Sequence, residues 1–509
     1  MAELHAYLAS HRPAAFCLVL VTLIFLVLRG AAIPLEVPRA DQSQYLSYAF
    51  NMLHSGVFGV RAVQPDQRRE PGYPLLLAAA MVLHPGVEID GSTRRCVTAG
   101  EPGCLAAVTG LKAVNILFLG LSGVAAFAAV LAVTGSPAAA WIAFLWLMAS
   151  ASYGQYAGRF FPEVVAGFLI VALSLRSWRL ATEPPARRSW FATGLLLGAL
   201  TLTKATFYYL APLLGLALAA HAVLTKRASL REAAILGVVL LAGTAILTLP
   251  WQLRNLVSTG TTDLSGRAGL VLTVRANFNE LPAGGSLGTM ATFTPHNTAL
   301  RAYLTDRWLT PGIAAFLEPP DDPKTRAYDR QRELAVPRGY NAYSAELDSL
   351  LEAEALARIR ANWTGHLRLT PVLAYRGLFV DSGLGFIPER LNEGERAPRA
   401  GNLLLGASPG WFHPAPILQN ASLFLPAFLA FAWCALTGRW ALVFLMLPAA
   451  YLFGLQSFMS HNLPRYSVPL IPMLVVIATV VATLLGKRIA ALGRRSAAGP
   501  ARLSASASR

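Results

Sequence analysis

Five charged residues stand at the ends of apolar segments in this sequence, where their side chains could do chemistry at a membrane surface. Asp41 and Glu163 are acids, and Lys204, Arg254 and Arg465 are cations. A carboxylate can take a proton from a hydroxyl group, and a cation can bind a phosphate, with arginine suited to two parallel hydrogen bonds. The residue types therefore predict a site that brings a hydroxyl group and a phosphate together.

Each of these residues also has a structural explanation. Asp41 could cap a helix that stops at Gly56, and Glu163 suits the positive N-terminal end of a span. Lys204 could extend from a span toward the interface, and Arg254 could anchor one there. A functional site is favoured because two acids and three cations reach one membrane face from five separate segments. Acids at the mouth of a span also tend to be functional.

Membrane spans are the elements that must position these residues. The sequence is 55% hydrophobic and 14% charged, against roughly 25% charged residues in soluble proteins. A span needs about 20 mostly apolar residues, so the sequence predicts an all-α polytopic membrane protein of about ten transmembrane helices with a smaller extracytoplasmic region. The shorter apolar run at 73–83 predicts a helix at the membrane surface. The predicted spans are 14–35, 105–132, 138–157, 163–178, 190–207, 208–224, 233–252, 421–437, 440–458 and 467–486.

The basic residues determine the predicted orientation. The chain has 43 Lys and Arg against 27 Asp and Glu, a net charge of +16. The basic residues cluster between apolar segments, as the positive-inside rule describes, and this placement argues against nucleic-acid binding. With the N-terminus inside, the clusters fall on the cytoplasmic side and the five candidate residues on the other side. The clusters are Arg176, Arg179, Arg187 and Arg188; Lys226, Arg227 and Arg231; and Lys487, Arg488, Arg494 and Arg495.

This topology divides the chain into four parts, of which residues 254–420 are too long to be a simple connector. Within that region, apolar residues at helical spacing predict a helix over residues 344–362. The four parts are an N-terminal transmembrane module at 1–253 with a first outer loop at 36–104, the extracytoplasmic region at 254–420, C-terminal transmembrane helices at 421–486, and a basic tail at 487–509 predicted to be disordered.

The four cysteines fall into two pairs. Cys17 and Cys434 lie in predicted spans and are most simply apolar core residues. Cys96 and Cys104 both lie in the first outer loop. Since the outer side of most cells is oxidising, a disulfide between them is predicted, with two free thiols as the alternative.

Six short motifs occur in order along the predicted topology. They are Asp41 before a short helix, Arg69-Glu70-Pro71-Gly72-Tyr73-Pro74, Pro162-Glu163, a glycine-rich span ending in Thr203-Lys204, Pro250-Trp251-x-x-Arg254-Asn255, and Arg465-Tyr466-x-x-Pro469-Leu470-x-Pro472. In these motifs the chain resembles the GT-C polyprenyl-phosphate-sugar glycosyltransferases, which include the protein O-mannosyltransferases and the lipid A aminoarabinose transferases. The resemblance covers about residues 14–255 and 440–486 and leaves the long outer region unmatched.

The resemblance implies both a GT-C-like fold and a reaction. Asp41 would act as general base on an acceptor hydroxyl that attacks the anomeric carbon of a polyprenyl-phosphate sugar, with inversion. Glu163 would be a second catalytic residue that orients the acceptor or the sugar. The three cations at the span ends would stabilise the phosphate as it leaves. The substrate-binding candidates are Arg69, Glu70, Tyr73, Lys204, Arg254, Arg465 and Tyr466.

Cofactors and partners follow from the same comparison. The sequence has no His and Cys cluster with metal-ligand spacing, and Gln42 stands where many family members have a second acid, so no metal site is predicted. The one cofactor still compatible with the sequence is a divalent ion bound between Asp41 and Glu163. The expected partners are a polyprenyl-phosphate-linked sugar, membrane lipids and an acceptor lipid, glycan or protein.

The Ala- and Arg-rich composition points to a bacterial inner membrane, with the active site on its extracytoplasmic face.

Two other classes of protein share some of these features. A transporter or flippase of a lipid-linked sugar also carries charges at membrane depth, but usually near the bilayer midplane and between internal repeats. Here the acids fall at span ends, and the sequence shows no convincing repeat. A non-catalytic membrane scaffold would instead use its outer region to bind a partner.

Overall fold

The computed structural model describes residues 7, 10, 12–33, 37–38, 40–84, 87, 101–294, 299–380 and 414–497. Within these ranges the secondary structure is helical, apart from one isolated bridge between Arg61 and Gln64. The predicted all-α architecture is confirmed.

The first eleven described helices contain the N-terminal membrane-spanning segments and their connections. They are α1 (Arg12–Ala31), α2 (Asp41–Ser55), α3 (Gly72–Leu83), α4 (Pro102–Gly110), α5 (Ala113–Thr134), α6 (Pro137–Ala149), α7 (Ala151–Ala157), α8 (Glu163–Thr182), α9 (Arg187–Thr203), α10 (Leu210–Leu224) and α11 (Leu230–Thr259). A 3₁₀ helix, Ala205–Phe207, connects α9 to α10.

Seven shorter helices follow within residues 268–378, which we call the helical insert. They are α12 (Ala268–Asn279), α13 (Ser286–Phe293), α14 (Ala299–Trp308), α15 (Pro311–Leu317), α16 (Pro323–Ala335), α17 (Ala345–Ala361) and α18 (Trp363–Leu378). The chain then returns to long apolar helices, namely α19 (Pro414–Leu436), α20 (Trp440–Met459) and, after the 3₁₀ helix Pro464–Leu470, α21 (Ile471–Ala497).

Seven helical segments in the described part of the chain are long and apolar enough to cross a membrane, so the protein is a multi-pass membrane protein. Each of the ten predicted spans coincides with a helix. The three that are not among these seven are α6, α9 and the segment Asn420–Leu436 of α19.

The predicted span at 138–157 is shorter because the helix breaks at Ser150. The Ser150 hydroxyl accepts a hydrogen bond from the backbone N–H of Tyr153 at 3.4 Å and so caps α7. Arg29 of α1 donates to the carbonyls of Met148 and Ser150, both at 3.3 Å. In an unbroken helix, these backbone carbonyl and N–H groups would bond to each other along the helix. At the break, the side chains of Arg29 and Ser150 are their partners instead.

The basic clusters and the candidate site lie at opposite ends of the helices. α8 begins at Glu163 and α9 ends beside Lys204, which defines the site end. At the other end, the basic end, Arg227 donates to carbonyls at the end of α8. Lys487 of α21 donates there to the carbonyl of Thr134 at 2.6 Å. The separation expected from the sequence is therefore present in the fold.

Glycines allow α9 and α11 to pack with their backbones in contact. A Cβ atom on Gly194 would lie 2.0 Å from the carbonyl oxygen of Leu240, and one on Gly243 would lie 2.4 Å from that of Phe191. The Thr244 hydroxyl donates to the Gly194 carbonyl at 3.1 Å. Small residues support such close packing in membranes, and here they fix the helix that ends at the candidate site.

The helical insert has its own core and is attached to the spans. The predicted helix at 344–362 is present as α17, where Ser344 accepts from the N–H of Leu347 and Leu351 is buried. Arg275 of α12 is fully buried and donates through Nε to the carbonyl of Phe458 in α20 at 3.0 Å. The insert is thus joined to a span by a buried charged hydrogen bond.

The C-terminal segment differs in part from its prediction. α21 continues to Ala497, so residues 487–497 are helical rather than the disordered start of a tail. The remainder of the predicted tail lies outside the described residues.

The cysteines are described in part. Cys104 is disulfide-bonded, and its predicted partner Cys96 lies outside the described residues. Cys17 and Cys434 are free thiols.

Candidate functional site

Two acids and two cations meet at the site end of the spans. Arg465 donates through Nη2 to Asp41 Oδ2 at 2.8 Å, and its Nε lies 3.6 Å from Glu163 Oε1. Lys204 Nζ lies 3.5 Å from the same Glu163 oxygen. One guanidinium group therefore connects the two predicted catalytic acids, which come from sequence positions more than a hundred residues apart.

Two further arginines surround Asp41. Arg69 donates to Asp41 Oδ1 and, through Nε at 2.9 Å, to the side-chain oxygen of Gln44. Arg267, which precedes α12 of the helical insert, places Nη1 at 4.0 Å from Asp41 Oδ2. Asp41 thus faces three guanidinium groups from three different parts of the chain.

The Asp41 carboxylate is not a helix cap. α2 begins at this residue, and no side-chain hydrogen bond caps the helix. Burial raises the pKa of Asp41, whereas Arg69, Arg465 and Arg267 lower it, and the net effect holds the pKa well below its usual range. Asp41 is therefore ionised at neutral pH, with 20% of its side chain accessible.

Glu163 is much more enclosed than Asp41. Its side chain is only 3% accessible, and its Oε2 atom is buried without a hydrogen-bond partner. Burying a carboxylate costs free energy unless cations compensate for it, and here Lys204 and Arg465 do so. The unpartnered oxygen leaves Glu163 with a free acceptor inside the site.

The loop before Glu163 is held by two polar side chains. Gln42 accepts through Oε1 from the backbone N–H of Phe160 at 2.9 Å. Asn115 of α5 donates to the carbonyl of Phe161 at 3.1 Å and to the hydroxyl of Tyr73 at 3.0 Å. These bonds fix α2 and α8 relative to each other, and therefore Asp41 relative to Glu163.

In the segment Arg69 to Tyr73, Arg69 contacts Asp41, and the residues that follow it hold the neighbouring backbone in place. A Cβ atom on Gly72 would lie 2.8 Å from the carbonyl of Leu202, so glycine allows α3 to approach the end of α9. Glu70 accepts through Oε1 from the N–H of Ala205 at 3.2 Å, and Tyr73 is buried. The segment thereby holds the chain on both sides of Lys204.

Arg254 does not join the other predicted cations. Its Nη1 donates to the carbonyl of Asp66 at 3.1 Å and its Nη2 to that of Phe58 at 2.8 Å. The guanidinium group also stacks on Phe58 and Trp251. Arg254 therefore holds the first loop to α11, apart from the other four charged residues, and its role as a phosphate ligand stays a prediction.

The connection between α20 and α21 supplies Arg465 and Tyr466. Arg465 lies in the 3₁₀ helix, with its guanidinium 4.8 Å from the ring centre of Phe161. The ring of Tyr466 meets that of His461 edge to face, with centroids 5.8 Å apart. Arg465 thus lies between the two acids, and Tyr466 lies between His461 and the Arg465 guanidinium, which is 5.7 Å from its ring centre.

Three residues that position the site were not predicted from the sequence. Gln42 was noted only as a departure from the resembled family's paired acids, and Asn115 carries no signal beyond a polar side chain near a span end. Arg267 lies in the region that matches no motif, so only the packing of the helical insert brings it to Asp41.

The fold and the site define a multi-pass membrane protein with buried acids and cations at one end of its spans. Comparison with models of known protein families found no match, and comparison with curated proteins found none. Among solved structures, the chain is similar to ArnT from Cupriavidus metallidurans, in a crystal structure bound to undecaprenyl phosphate, with a TM-score of 0.37 and 16% sequence identity. The similarity covers 94% of this chain and 78% of that chain. A likeness of this size leaves the reaction to be inferred from the site.

Proposed function

We propose that this protein is a membrane glycosyltransferase of the GT-C type, which moves a sugar from a polyprenyl-phosphate donor to a lipid, glycan or protein acceptor. The observation that carries the proposal is the contact of Arg465 with both Asp41 and Glu163 at the ends of the spans. A reaction between a hydroxyl group and a lipid-linked phosphate ester needs a base, a phosphate-binding cation and access from the bilayer. This position can supply all three.

Arg465 and Lys204 are the proposed phosphate ligands. Both contact Glu163 Oε1, so a phosphate bound here would compete with that carboxylate for them. A lipid phosphate lies at the end of a span when its hydrocarbon chain is in the bilayer. As the bond to the sugar breaks, negative charge grows on the phosphate, and nearby cations stabilise it more strongly.

Asp41 is the proposed general base. Three arginines keep its carboxylate ionised but also make it a weak base. A donor phosphate that draws Arg465 away would remove one of these charges and so raise the basicity of Asp41 when substrate is bound. Asp41 would then be an effective base only when the donor is bound.

The proposed step balances without an additional reactant. The acceptor oxygen forms a bond to the anomeric carbon and gives its proton to the Asp41 carboxylate. The bond between the anomeric carbon and the phosphate oxygen breaks, and polyprenyl phosphate leaves with the electron pair. A single displacement of this kind inverts the configuration at the anomeric carbon. Glu163, with its free oxygen, would orient the sugar or the acceptor through a hydroxyl group.

A divalent ion between the two acids would require a different arrangement. The guanidinium group of Arg465 contacts both carboxylates and would have to move for a metal to coordinate them. In the described part of the chain, no three His, Cys, Asp or Glu side chains are close enough to share a metal ion. The charged groups of the site account for the proposed step by themselves.

The site is proposed to face the extracytoplasmic side of a bacterial inner membrane. The basic end would then be cytoplasmic, in agreement with the positive-inside rule. Residues 254–420 would lie outside and recognise the acceptor, and the spans in 1–253 and 421–486 would hold the donor. Arg267, at the start of the helical insert, brings this outer region into contact with Asp41.

Transfer of labelled sugar by an Asp41→Asn variant tests the proposal. Membranes containing either protein would receive radiolabelled polyprenyl-phosphate sugar, and label would be followed into acceptor. Loss of a general base lowers the rate by about 100- to 10,000-fold. Asp263→Asn is a matched control, because Asp263 is an exposed acid near the start of the helical insert.

Two outcomes would contradict the proposal. Transfer by the Asp41→Asn protein at the wild-type rate would remove Asp41 from the mechanism. A wild-type protein that moves intact donor lipid across the bilayer without transferring sugar would be a transporter instead.

A further inference from the structure

A second group of cations lies around His461, next to the helical insert, and includes Arg267, which also lies beside Asp41. Arg376 of α18 donates through Nη1 to the backbone carbonyl of His461 at 3.2 Å. Arg267 lies within 4.0 Å of Asp41, as described above. Lys324, at the start of α16, is close enough to influence the charge of His461. Two cations of the helical insert, together with Arg267 just before it, thus lie near the connection that carries Arg465.

Two side chains in this group, His461 and Arg267, have buried nitrogen atoms without a hydrogen-bond partner. His461 is 7% accessible, and its Nδ1 atom is buried without a hydrogen-bond partner. Arg267 Nε is likewise buried and unpartnered. Burial lowers the pKa of His461, and Arg376, Lys324, Arg267 and Arg465 lower it further, so its ring is neutral. Buried polar atoms usually have partners. Arg267 shares the Asp41 carboxylate with Arg69 and Arg465, so the cations here outnumber the acids that they contact.

The group can be reached from the site. Arg267 keeps 21% of its side chain accessible, and the Asp41 carboxylate beside it keeps 20%. The partly accessible Arg267 side chain therefore lies beside the proposed base and carries one of the unpartnered atoms. A molecule that presents its hydroxyl group to Asp41 would place its neighbouring substituents against Arg267.

We propose that Arg267, Arg376 and His461 form a binding site for an anionic oxygen group, a phosphate or a carboxylate, carried by the acceptor. This inference rests on the proposed function, because it takes Asp41 as the place of the acceptor hydroxyl. The donor phosphate would be bound separately by Arg465 and Lys204. The acceptor would then be an anionic lipid, glycan or peptide rather than a neutral one.

Separate binding measurements on the purified full-length protein test this site. Labelled inorganic phosphate is titrated into protein saturated with polyprenyl phosphate, and labelled polyprenyl phosphate is titrated on its own. We expect Arg376→Gln to weaken phosphate binding at least about tenfold and to leave polyprenyl-phosphate binding within about twofold. Lys204→Met should give the reverse pattern.

Two controls separate a binding defect from a folding defect. Arg326→Gln removes an arginine of the same insert that pairs with Glu280 at the surface, and both affinities should remain as in the wild type. Arg376→Lys retains the positive charge and should restore part of the phosphate affinity. Equal thermal unfolding of Arg376→Gln and wild type shows that the fold is intact.

Three results would overturn the inference. If Arg376→Gln weakened the binding of inorganic phosphate and of polyprenyl phosphate equally, Arg267 and Arg376 would belong to the donor site. Tighter binding of polyprenyl diphosphate than of the monophosphate, lost in Arg376→Gln, would assign them to a second donor phosphate. Phosphate binding that is equal in wild type and Arg376→Gln would mean that the structure has no such site. Failure of the proposed function differs from all three, because sugar transfer would then be absent in the wild type.

Discussion

Arg465 is the residue on which the electrostatics of the site depend most. It is the cation that contacts both Asp41 and Glu163, and its planar group can do so because its nitrogens point in different directions. A lysine at this position would present one charged nitrogen and could not keep both contacts. The site would then lose part of its proposed affinity for phosphate, and its two acids would no longer be held by one side chain.

We expect Arg465→Lys to lower sugar transfer by about 10- to 100-fold, the range associated with the loss of a charge-assisted hydrogen bond. The measurement is the initial rate of transfer from labelled donor in membranes with matched protein amounts. Arg439→Lys is the control, because Arg439 is exposed in the α19–α20 connection and stacks on Trp433. Equal rates for wild type and Arg465→Lys would show that the bridge has no role in turnover.

The types of charged residues and the order of their motifs along the sequence predicted which residues form the centre of the site. They did not predict which groups each side chain would contact. Asp41, Glu163, Lys204 and Arg465 were predicted together and lie together. Arg254 carried the same signal, a cation at a span end, yet its donors are used by backbone carbonyls of the first loop. The difference depends on loop packing, which a sequence motif does not encode.

Helix packing determines where these side chains lie. α9 carries Lys204 just beyond its last residue, and the position of α9 depends on glycine contacts with α11. A side chain at Gly194 would overlap the Leu240 carbonyl, so the helices would have to separate. Displacement of α9 would move Lys204 away from Glu163.

We expect Gly194→Ala to destabilise the protein by about 1–3 kcal/mol, as overpacking does in other close-packed interfaces. Donor binding should weaken as well, because Lys204 would shift. Thermal unfolding in detergent and donor titration measure the two effects. Gly454→Ala is the control, since a Cβ there meets nothing within 4 Å; an equal response of both variants would contradict the packing argument.

The helical insert should lose stability in mild acid because of His366. This buried ring accepts from the Asn279 amide at 3.2 Å, and burial, followed by the charge of Arg275, lowers the pKa of His366 to about 4. The unfolded ring binds a proton near pH 6.5. Stability therefore falls as the pH decreases from about 6.5 to about 4, by roughly 2 kcal/mol between pH 7 and pH 5.

Hydrogen exchange in α12 and α18 at pH 7 and pH 5, corrected for intrinsic rates, measures this loss. His366→Gln keeps an acceptor for Asn279 but cannot take up the proton, so its stability should change less over the same interval. His54→Gln, at an exposed position near the end of α2, is the control. An unchanged pH dependence in His366→Gln would mean that another group is responsible.

Apolar segments in the sequence predicted the positions of the membrane-spanning helices well. They predicted the helices of the helical insert poorly. The ten predicted spans all coincide with helices, because long apolar runs have few other structures available in a bilayer. The break at Ser150 depends on a contact from Arg29, which is distant in sequence. In the insert, only α17 had a helical pattern strong enough to predict, since its other helices are short and mixed in polarity.

At the scale of the whole molecule, the site end and the basic end should face opposite compartments. The structure places the basic clusters together and the acids at the other end, and the charge bias then sets the orientation. We expect Glu346→Cys in the helical insert to react with a membrane-impermeant maleimide on intact cells. Arg188→Cys, at the start of α9, should react only after permeabilisation.

Both positions are exposed, so accessibility to water does not distinguish them. The measurement uses a background in which Cys17 and Cys434 are replaced by serine, which removes the two free thiols of the described chain. Labelling of Arg188→Cys on intact cells would reverse the proposed orientation and place the site on the cytoplasmic side.

The central claim is that the molecule breaks the bond between a sugar and a lipid phosphate. It is tested most directly with purified protein in liposomes that contain membrane lipids, acceptor extract and a polyprenyl-phosphate sugar labelled separately in its phosphate and its sugar. We expect the sugar label to pass to acceptor while an equal amount of labelled polyprenyl phosphate is released, and we expect neither change with Asp41→Asn. Donor that keeps both labels while it moves between the two leaflets would contradict the claim.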